Sequence, residues 1–197
     1  MSNENTTTIQ EKQPGQMGAY APYYDLIMVF LSFGREKKLR QLEIEISQIK
    51  PGDRVLEIGC GTGTLTLAAK ERVGPSGEMS AIDIAPEMVA KARQKAMRKG
   101  ADISIKEGSI ASIPFPENHF DAVMCSFMIF HMPEDVRRKG LKEIYRVLKP
   151  GGHFIAIDTE PVEKLTPELQ ENGFTGVETG ERKFIAIKLS HIRATAE

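Results

Sequence analysis

The sequence predicts an α/β fold with a single doubly wound, mostly parallel sheet of seven strands that ends in an antiparallel hairpin. Short apolar runs alternate with stretches of helical periodicity from residue 55 to residue 157. This alternation is typical of parallel strands joined by right-handed helical crossovers. The last two strand patterns are separated by Gly180, which indicates a hairpin instead of a further crossover.

The elements follow one another at regular intervals. A helix precedes the first strand because Leu39, Leu42, Ile46 and Ile49 recur at helical spacing before Pro51. The predicted strands cover residues 55–58, 78–82, 103–106, 120–125, 153–157, 177–179 and 184–189. The predicted helices between them cover residues 64–72, 86–99, 134–147 and 167–172.

The composition indicates an ordinary globular protein and excludes several function classes. Of 197 residues, 41% are hydrophobic and 27% are charged, and the net charge of -1 gives no general attraction for nucleic acid. The two cysteines, Cys60 and Cys125, lie in predicted core elements, so we expect a reducing, cytoplasmic location without disulfides. The longest apolar run, residues 26–31, is far shorter than the roughly 20 residues that a transmembrane helix needs.

One domain is expected over residues 18–197. Residues 1–17 are rich in polar side chains and predict a disordered tail. Residues 26–33 predict an apolar helix, and Tyr24 lies directly before it. This N-terminal segment is interpreted as an amphipathic helix packed on the domain or as a lid over the ligand site, and the two interpretations are compatible.

The predicted site is arranged around the stretch Arg54-Val-Leu-Glu-Ile-Gly-Cys-Gly-Thr-Gly63. A strand that turns through glycines into a helix brings bare backbone and helix N–H groups close to a ligand. The dinucleotide fingerprint does not fit, because Thr64 or Thr66 stands where its third glycine is required. A P-loop is excluded because no Gly-Lys-Ser/Thr follows. The remaining pattern, Glu57 two residues before Gly-x-Gly-x-Gly, resembles the first motif of class I S-adenosylmethionine-dependent methyltransferases.

Asp83 is the second anchor of the predicted site. It lies 22 positions after Gly61, at the tip of the second strand, and ligands of open parallel sheets lie outside the carboxyl ends of the strands. A carboxylate there can accept hydrogen bonds from both hydroxyls of a ribose. Alone, it could equally end the strand or cap the helix that begins at Pro86.

The resemblance extends over most of the chain. Residues 55–63, 81–88, 112–121 and 144–152 are similar to successive motifs of the methyltransferase group that contains the ubiquinone and menaquinone biosynthesis enzymes. It implies a Rossmann-like methyltransferase sheet and S-adenosylmethionine as the cofactor. No metal site is expected. The cofactor contacts that it implies are Glu57, Gly59, Cys60, Gly61, Thr62, Gly63, Asp83, Ile84, Met88, Ser109, Ile110 and Ser126. Within this set, Ser109, Ile84 and Ile110 are assigned to the adenine, and Ser126 to the amino-acid end.

The sequence departs from that group in two places. Many relatives carry Asp where this chain has Ser109. The quinone enzymes also carry a longer, largely apolar insertion between the fifth strand and the last helix, where this chain has about a dozen residues. We therefore expect a small-molecule acceptor, with a quinone precursor or a lipid-like molecule as the interpretation for its class.

Methyl transfer from a sulfonium is an in-line displacement that a protein accelerates by holding donor and acceptor close and excluding water. A base helps when the acceptor is a phenol or a protonated amine. His131, in the loop after the fourth strand, is the first candidate for this role, although a histidine before Pro133 can also be structural. Tyr24 is the second candidate.

Other readings stay open at this point. They are a dehydrogenase, an S-adenosylmethionine-binding protein without transfer activity, and a methyltransferase that acts on a macromolecule. Nucleic acid is not expected as a partner, because the basic residues between Lys91 and Lys99 are explained by the solvated face of a helix. Peripheral membrane contact and a monomer or a homodimer are both compatible with the sequence.

Overall fold

The computed structural model describes residues 34–197. The strands are β1 (Arg54–Ile58), β2 (Glu78–Asp83), β3 (Ser104–Glu107), β4 (Phe120–Ser126), β5 (Leu148–Asp158), β6 (Phe174–Phe184) and β7 (Ile187–Ala196). The helices are α1 (Glu36–Ser47), α2 (Thr64–Val73), α3 (Pro86–Lys99), α4 (Glu134–Val147) and α5 (Thr166–Glu171), with a 3-10 helix at Val162–Leu165. The predicted tail, the predicted lid and Tyr24 lie outside the described residues.

The seven strands form one sheet in the order β3-β2-β1-β4-β5-β7-β6. Strands β1 to β5 are mutually parallel, whereas β7 runs antiparallel to both β5 and β6. The strand order reverses between β1 and β4, where Ile58 pairs with Ile82 on one side and Cys125 on the other. The carboxyl ends of the three central strands therefore lie at one level, at the switch point of the sheet. The predicted fold class is confirmed.

Helices cover both faces of the sheet. Successive side chains of β1 point to opposite faces, so they pack against different helices. Leu56 and Ile58 pack in the core beneath α4 and α5, whereas Val55 packs beneath α1 and α2. Because successive side chains of a strand point to opposite faces, Glu57 lies on the same face as Val55. At the end of β4, Ser126 shares that face with Met124.

The predicted boundaries of the terminal hairpin were wrong. Both strands are longer than expected, and the chain turns at Ile185 and Ala186, so Gly180 lies inside β6 and is not the turn. A Cβ at Gly180 would lie 2.6 Å from the imidazole of His191 in β7. The close approach of His191 on the neighbouring strand therefore favours glycine here. From the local sequence alone, such a glycine cannot be distinguished from a glycine in a turn.

Strand β5 also begins earlier than predicted, at Leu148 instead of residue 153. Leu148 pairs with Phe120, and the ladder shifts in register before Ala122 pairs with His153. The Pro-Gly-Gly stretch at 150–152 is thus accommodated as an irregularity within the strand. No helix within residues 34–197 is long and apolar enough to cross a membrane.

Candidate active site

The turn after β1 is built from three glycines in the left-handed region of backbone space. Their φ angles are 71° at Gly59, 52° at Gly61 and 80° at Gly63. The N–H groups of Gly59 and Cys60 donate hydrogen bonds to the carbonyl oxygen of Ile82, at 2.8 and 3.1 Å. The turn is thereby fastened to the end of β2, and a side chain at any of the three glycines would be strained.

Two of the glycines also allow close packing. A Cβ at Gly63 would lie 2.9 Å from the Cβ of Ala92 in α3, and one at Gly59 would lie 2.9 Å from Cγ of Met128. The glycine turn is therefore enclosed between α3 and the loop that follows β4. A Cβ at Gly63 would also lie 3.2 Å from the backbone of Ala92, so the contact there is the less easily relieved of the two.

Asp83 ends β2 with its carboxylate against the glycine turn. Its Oδ2 accepts a hydrogen bond from the N–H of Gly61 at 2.8 Å, and its Oδ1 accepts one from the N–H of Ala85 at 2.9 Å. Burial raises the pKa of Asp83, and these backbone N–H groups oppose that shift. The N–H of Ile84 also hydrogen-bonds this carboxylate. Since a carboxylate offers about four lone-pair sites, acceptor capacity remains for a ligand hydroxyl.

Glu57 is a buried carboxyl group at the other side of the turn. Its Oε2 accepts a hydrogen bond from the hydroxyl of Thr66 in α2 at 2.5 Å. Burial raises the pKa of Glu57 to about 8, although Thr66 and the positive charge of Arg40 both oppose the shift. The carboxyl group is therefore predominantly protonated at neutral pH, whereas Asp83 lies nearer to solvent.

Helix α1 adds two charged side chains that sequence analysis missed. Arg40 and Glu43 are both buried, and Nη1 of Arg40 lies 2.9 Å from Oε2 of Glu43. The other carboxylate oxygen of Glu43 accepts a hydrogen bond from the hydroxyl of Ser126 at the tip of β4. The sequence does contain a signal, since both charges fall in the same buried stripe of α1 as Leu39 and Ile46.

These groups surround a small cleft at the carboxyl ends of β1 and β4. Its lining residues are Arg40, Glu57, Gly59, Cys60, Thr62, Thr64, Leu65, Ser126 and Phe127. Phe127 adopts a φ of 53°, an uncommon conformation for a bulky residue, directly after Ser126. The structure therefore brings five of the sequence-predicted cofactor contacts to one cavity: Glu57, Gly59, Cys60, Thr62 and Ser126.

Thr62 lies within the turn and is almost fully buried. Its hydroxyl oxygen accepts a hydrogen bond from Nζ of Lys95 at 2.9 Å, and Nζ also lies 3.0 Å from the hydroxyl oxygen of Thr64. Lys95 thus links α3 to the start of α2. This contact helps to hold the turn in shape.

The residues assigned to the adenine side of the site differ in how exposed their side chains are. Ile84 is 53% exposed, which leaves an apolar face available to a ring, whereas Met88 is buried against Ala85. The hydroxyl oxygen of Ser109 accepts a hydrogen bond from the N–H of Ala111 at 3.2 Å. Ile110 is buried against α4, where a Cβ on Gly140 would lie 2.6 Å from its Cγ1.

The candidate base His131 is exposed in the loop between β4 and α4. Its backbone N–H donates a hydrogen bond to the carbonyl oxygen of Met128 at 3.0 Å. The side chain is accessible, and the loop lies at the same end of the sheet as the cleft. Tyr24 lies outside the described residues.

Neither cysteine has the character of a nucleophile. Cys60 and Cys125 are both buried, and burial raises the pKa of each thiol well above its usual range. Within residues 34–197 no group of three or more His, Cys, Asp or Glu side chains could hold a metal ion.

Comparisons with known proteins identify the family. A family model described as "Methyltransferase domain" matches residues 55–152, which run from β1 into β5. The chain belongs to this methyltransferase family. The match spans the glycine turn, Asp83 and the strand tips that border the cleft, and S-adenosylmethionine is the cofactor of the family.

Curated relatives share sequence well beyond the glycine turn. The methyltransferase domain described here is 38% identical, over 144 residues, to a demethylmenaquinone methyltransferase from Thermus thermophilus; the match covers 73% of this chain and 64% of that protein. It is 32% identical, over 158 residues, to the ubiquinone/menaquinone biosynthesis C-methyltransferase UbiE of Yersinia enterocolitica, covering 77% of this chain and 62% of that protein. The chain therefore spans less than two thirds of the length of these relatives.

Solved structures agree with the fold. A SAM-dependent methyltransferase from Aquifex aeolicus superposes with a TM-score of 0.72 at 23% identity, covering 91% of this chain and 98% of that one. At this identity the likeness concerns the fold alone. It confirms that the methyltransferase sheet predicted from the sequence is the one the chain adopts.

Proposed function

We propose that this protein transfers a methyl group from S-adenosylmethionine to a small apolar acceptor of the quinone-precursor class. The observation that supports the proposal most is the Asp83 carboxylate, which is hydrogen-bonded to the turn at Gly61. It occurs within a methyltransferase domain whose similar proteins include a demethylmenaquinone methyltransferase and UbiE.

The residues present suit the cofactor. Asp83 offers carboxylate lone pairs to the ribose hydroxyls, and the half-exposed Ile84 beside it offers an apolar face to the adenine. Ser109, Ile110 and Met88 complete this side of the proposed site. On the other side, Glu57 and Ser126 border the cleft proposed for the amino-acid end, with the glycine turn between the two sides.

Methyl transfer requires little from the protein beyond holding the donor and acceptor close together and excluding water from them. The bound cofactor would supply a methyl group on a positively charged sulfur, a good leaving group. The glycine turn holds its backbone against α3 at Ala92 and against the side chain of Met128, which keeps the bare backbone in position for the cofactor. His131 is proposed to take the proton from an acceptor hydroxyl, with Tyr24 as the second candidate.

The connection after β5 bears on how the acceptor is enclosed. Residues 159–165 include the 3-10 helix Val162–Leu165, and Val162 and Leu165 are both buried in the core beneath the sheet. This segment therefore packs down on the domain, and its apolar side chains are not available to an acceptor. We propose that the apolar segment before residue 34 supplies the cover.

Methyl transfer is tested directly with purified protein, tritium-labelled S-adenosylmethionine and a demethylmenaquinone that carries a short prenyl chain. We expect label in a product that extracts into organic solvent. If the labelled cofactor binds but no label enters this acceptor or related phenols, the protein is a binding module. Label that enters only protein or RNA would contradict the small-molecule assignment.

The base is tested by comparing His131→Asn with Tyr24→Phe. Loss of a general base lowers kcat by about 10²- to 10⁴-fold without changing cofactor affinity. We expect this pattern for His131→Asn. If only Tyr24→Phe shows it, the proton is taken by the tyrosine. Equal, small effects of both variants would mean that transfer proceeds without a protein base.

Two further expectations accompany the proposal. We propose a cytoplasmic location. Because the proposed acceptor is apolar, we also propose that the protein contacts the membrane only at its surface. Light scattering of the purified protein distinguishes a monomer from a homodimer, and co-sedimentation with lipid vesicles tests the membrane contact.

A further inference from the structure

Arg40, a residue of α1, lines the cleft together with Glu57, Gly59 and Ser126. Its exposed fraction is only 8%, so the guanidinium is withdrawn from bulk water. A buried positive charge requires partners that satisfy its N–H groups. The partners of Arg40 leave one of these groups unsatisfied.

The N–H groups of the guanidinium are not all equally well paired. Nη1 lies 2.9 Å from Oε2 of Glu43, and Nη2 lies 3.5 Å from Oε1 of Glu36, a longer ion pair. Nε is buried and has no hydrogen-bond partner among the residues that the structure describes. A guanidinium binds carboxylates well because its N–H groups form a rigid planar fork. The unsatisfied Nε–H therefore points to an anionic ligand group at this side of the cleft.

The position of Arg40 relative to the strand tips matches one end of an elongated ligand. Asp83 lies at the tip of β2, and Arg40 is linked through Glu43 to Ser126 at the tip of β4. Strand β1 lies between them, so the two tips are separated by about 10 Å, two strand spacings of roughly 4.8 Å each. A ligand whose ribose lies at Asp83 would therefore place its far end near Arg40.

The charges around the cleft are also suited to a zwitterion. Arg40 supplies a positive group, and Glu43 holds it in place instead of leaving it mobile. Burial raises the pKa of Glu57 to about 8, so this group places a carboxyl oxygen, and not a further full negative charge, near the ion pair of Arg40 with Glu43. A carboxylate can approach Arg40 while an ammonium group approaches the oxygens of Glu57.

We propose that Arg40 binds the carboxylate of the methionyl group of S-adenosylmethionine, with Glu43 and Ser126 holding the guanidinium in position. This assignment rests on the proposed cofactor, and it extends the cofactor site to a helix that precedes the glycine turn.

The experiment compares two ligands that differ only in this carboxylate, S-adenosylmethionine and its decarboxylated form, by calorimetry on the whole chain. In the wild-type protein we expect decarboxylation to weaken binding by about 10- to 100-fold, the range for a hydrogen bond to a charged group. Arg40→Met should weaken binding of S-adenosylmethionine by a similar factor. The variant should then bind both ligands equally, because the two losses remove the same interaction.

Two further variants keep the test independent of folding. Arg40→Lys retains the charge and the aliphatic stem but lacks the fork, so we expect an intermediate loss for S-adenosylmethionine. Lys37→Met removes one positive charge from an exposed position of the same helix and should change neither affinity.

Three results would overturn the assignment. In the first, the wild-type protein binds both ligands equally well. In the second, the Arg40 variants weaken both ligands by the same factor, which would make Arg40 a structural support only. In the third, they weaken neither. A wild-type protein that binds neither ligand would contradict the cofactor itself, and with it the proposed function.

Discussion

The carboxylate of Asp83 accepts a hydrogen bond from the backbone N–H of Gly61, 22 positions earlier, at 2.8 Å. This single contact joins the end of β2 to the middle of the glycine turn. It places an acceptor for ribose hydroxyls and the bare backbone of the turn at adjoining positions. The geometry of the proposed cofactor site depends on it.

The first prediction therefore concerns Asp83→Asn. The amide keeps the size of the side chain but removes the charge and turns one acceptor oxygen into a donor that faces the N–H of Gly61 or Ala85. We expect the Kd for S-adenosylhomocysteine to rise by about 10- to 100-fold, since hydrogen bonds to charged groups contribute about 1.5–3 kcal/mol. Isothermal calorimetry measures this.

The matched control is Asp102→Asn, which makes the same chemical change at an exposed position before β3. It should leave the Kd within twofold of the wild-type value. Equal affinities for the wild-type protein and Asp83→Asn would show that the ribose lies elsewhere.

The second prediction concerns Gly63→Ala. The residue has a φ of 80°, and the added Cβ would lie 2.9 Å from the Cβ of Ala92, so backbone strain and overpacking act together. We expect the free energy of unfolding to fall by about 2–4 kcal/mol. Urea denaturation followed by circular dichroism provides the value.

Gly100→Ala separates the two contributions. Its φ is 61°, but nothing lies within 4 Å of the position of the added Cβ. We expect only the strain of the left-handed conformation, about 1–2 kcal/mol. A loss at Gly100 as large as that at Gly63 would mean that the contact with Ala92 is easily relieved.

The third prediction follows from the protonation of Glu57. Its pKa is about 8 in the folded protein and 4.5 in an exposed chain, so the folded state binds the extra proton between these values. The contribution of this group to the free energy of unfolding is therefore complete below pH 4.5 and is lost as the pH rises towards 8. Glu57→Gln cannot lose a proton, so its stability relative to the wild type should increase over this window, by up to about 4 kcal/mol.

The measurement is the free energy of unfolding at pH 5, 6, 7 and 8 for both proteins. The difference between them cancels the contributions of His153 and His191, whose pKa values are lowered by burial and whose effect on stability has the opposite sign. Glu71→Gln, an exposed change on α2, is the control and should follow the wild type. A flat difference between Glu57→Gln and the wild type would show that Glu57 is ionised in the folded protein.

The fourth prediction concerns Gly140→Ala in α4. In an exposed helix this change would stabilise by about 0.5–1 kcal/mol. Here the added Cβ would lie 2.6 Å from Cγ1 of Ile110, next to Ser109, so we expect a net loss of about 1–3 kcal/mol and weaker binding of adenosine.

Combining it with Ile110→Ala tests the cause. The smaller side chain removes all three atoms that the new Cβ meets. Once Ile110 is alanine, adding Gly140→Ala should no longer destabilise the protein. A double variant as unstable as the sum of both single changes would point to a different cause.

Much of the candidate site could be predicted from sequence, because its signals are local. The run from Val55 to Gly63 shows a buried strand, a sharp turn and a helix start within ten positions. Strand pairing then places Asp83 beside that turn, as its position after an apolar run predicted. The family model that matches residues 55–152 covers this same region.

The hairpin boundaries could not be predicted in this way. Gly180 reads locally as a turn, but the imidazole of His191 on the neighbouring strand is what requires a glycine there. The turn itself falls at Ile185, whose φ of 56° is uncommon for a β-branched residue and carries no sequence signal.

What the sequence by itself determined is the order of strands and helices and the pairing of a glycine turn with an acidic residue one strand later, since both depend on spacing along the chain. Only the tertiary structure decided that Glu43 joins Arg40 to Ser126, and that burial raises the pKa of Glu57. The physical reason is that burial depends on which layer covers a side chain. Helix α1 brings its charges over the end of β4 from 83 positions away in the chain, a relationship that no local pattern contains.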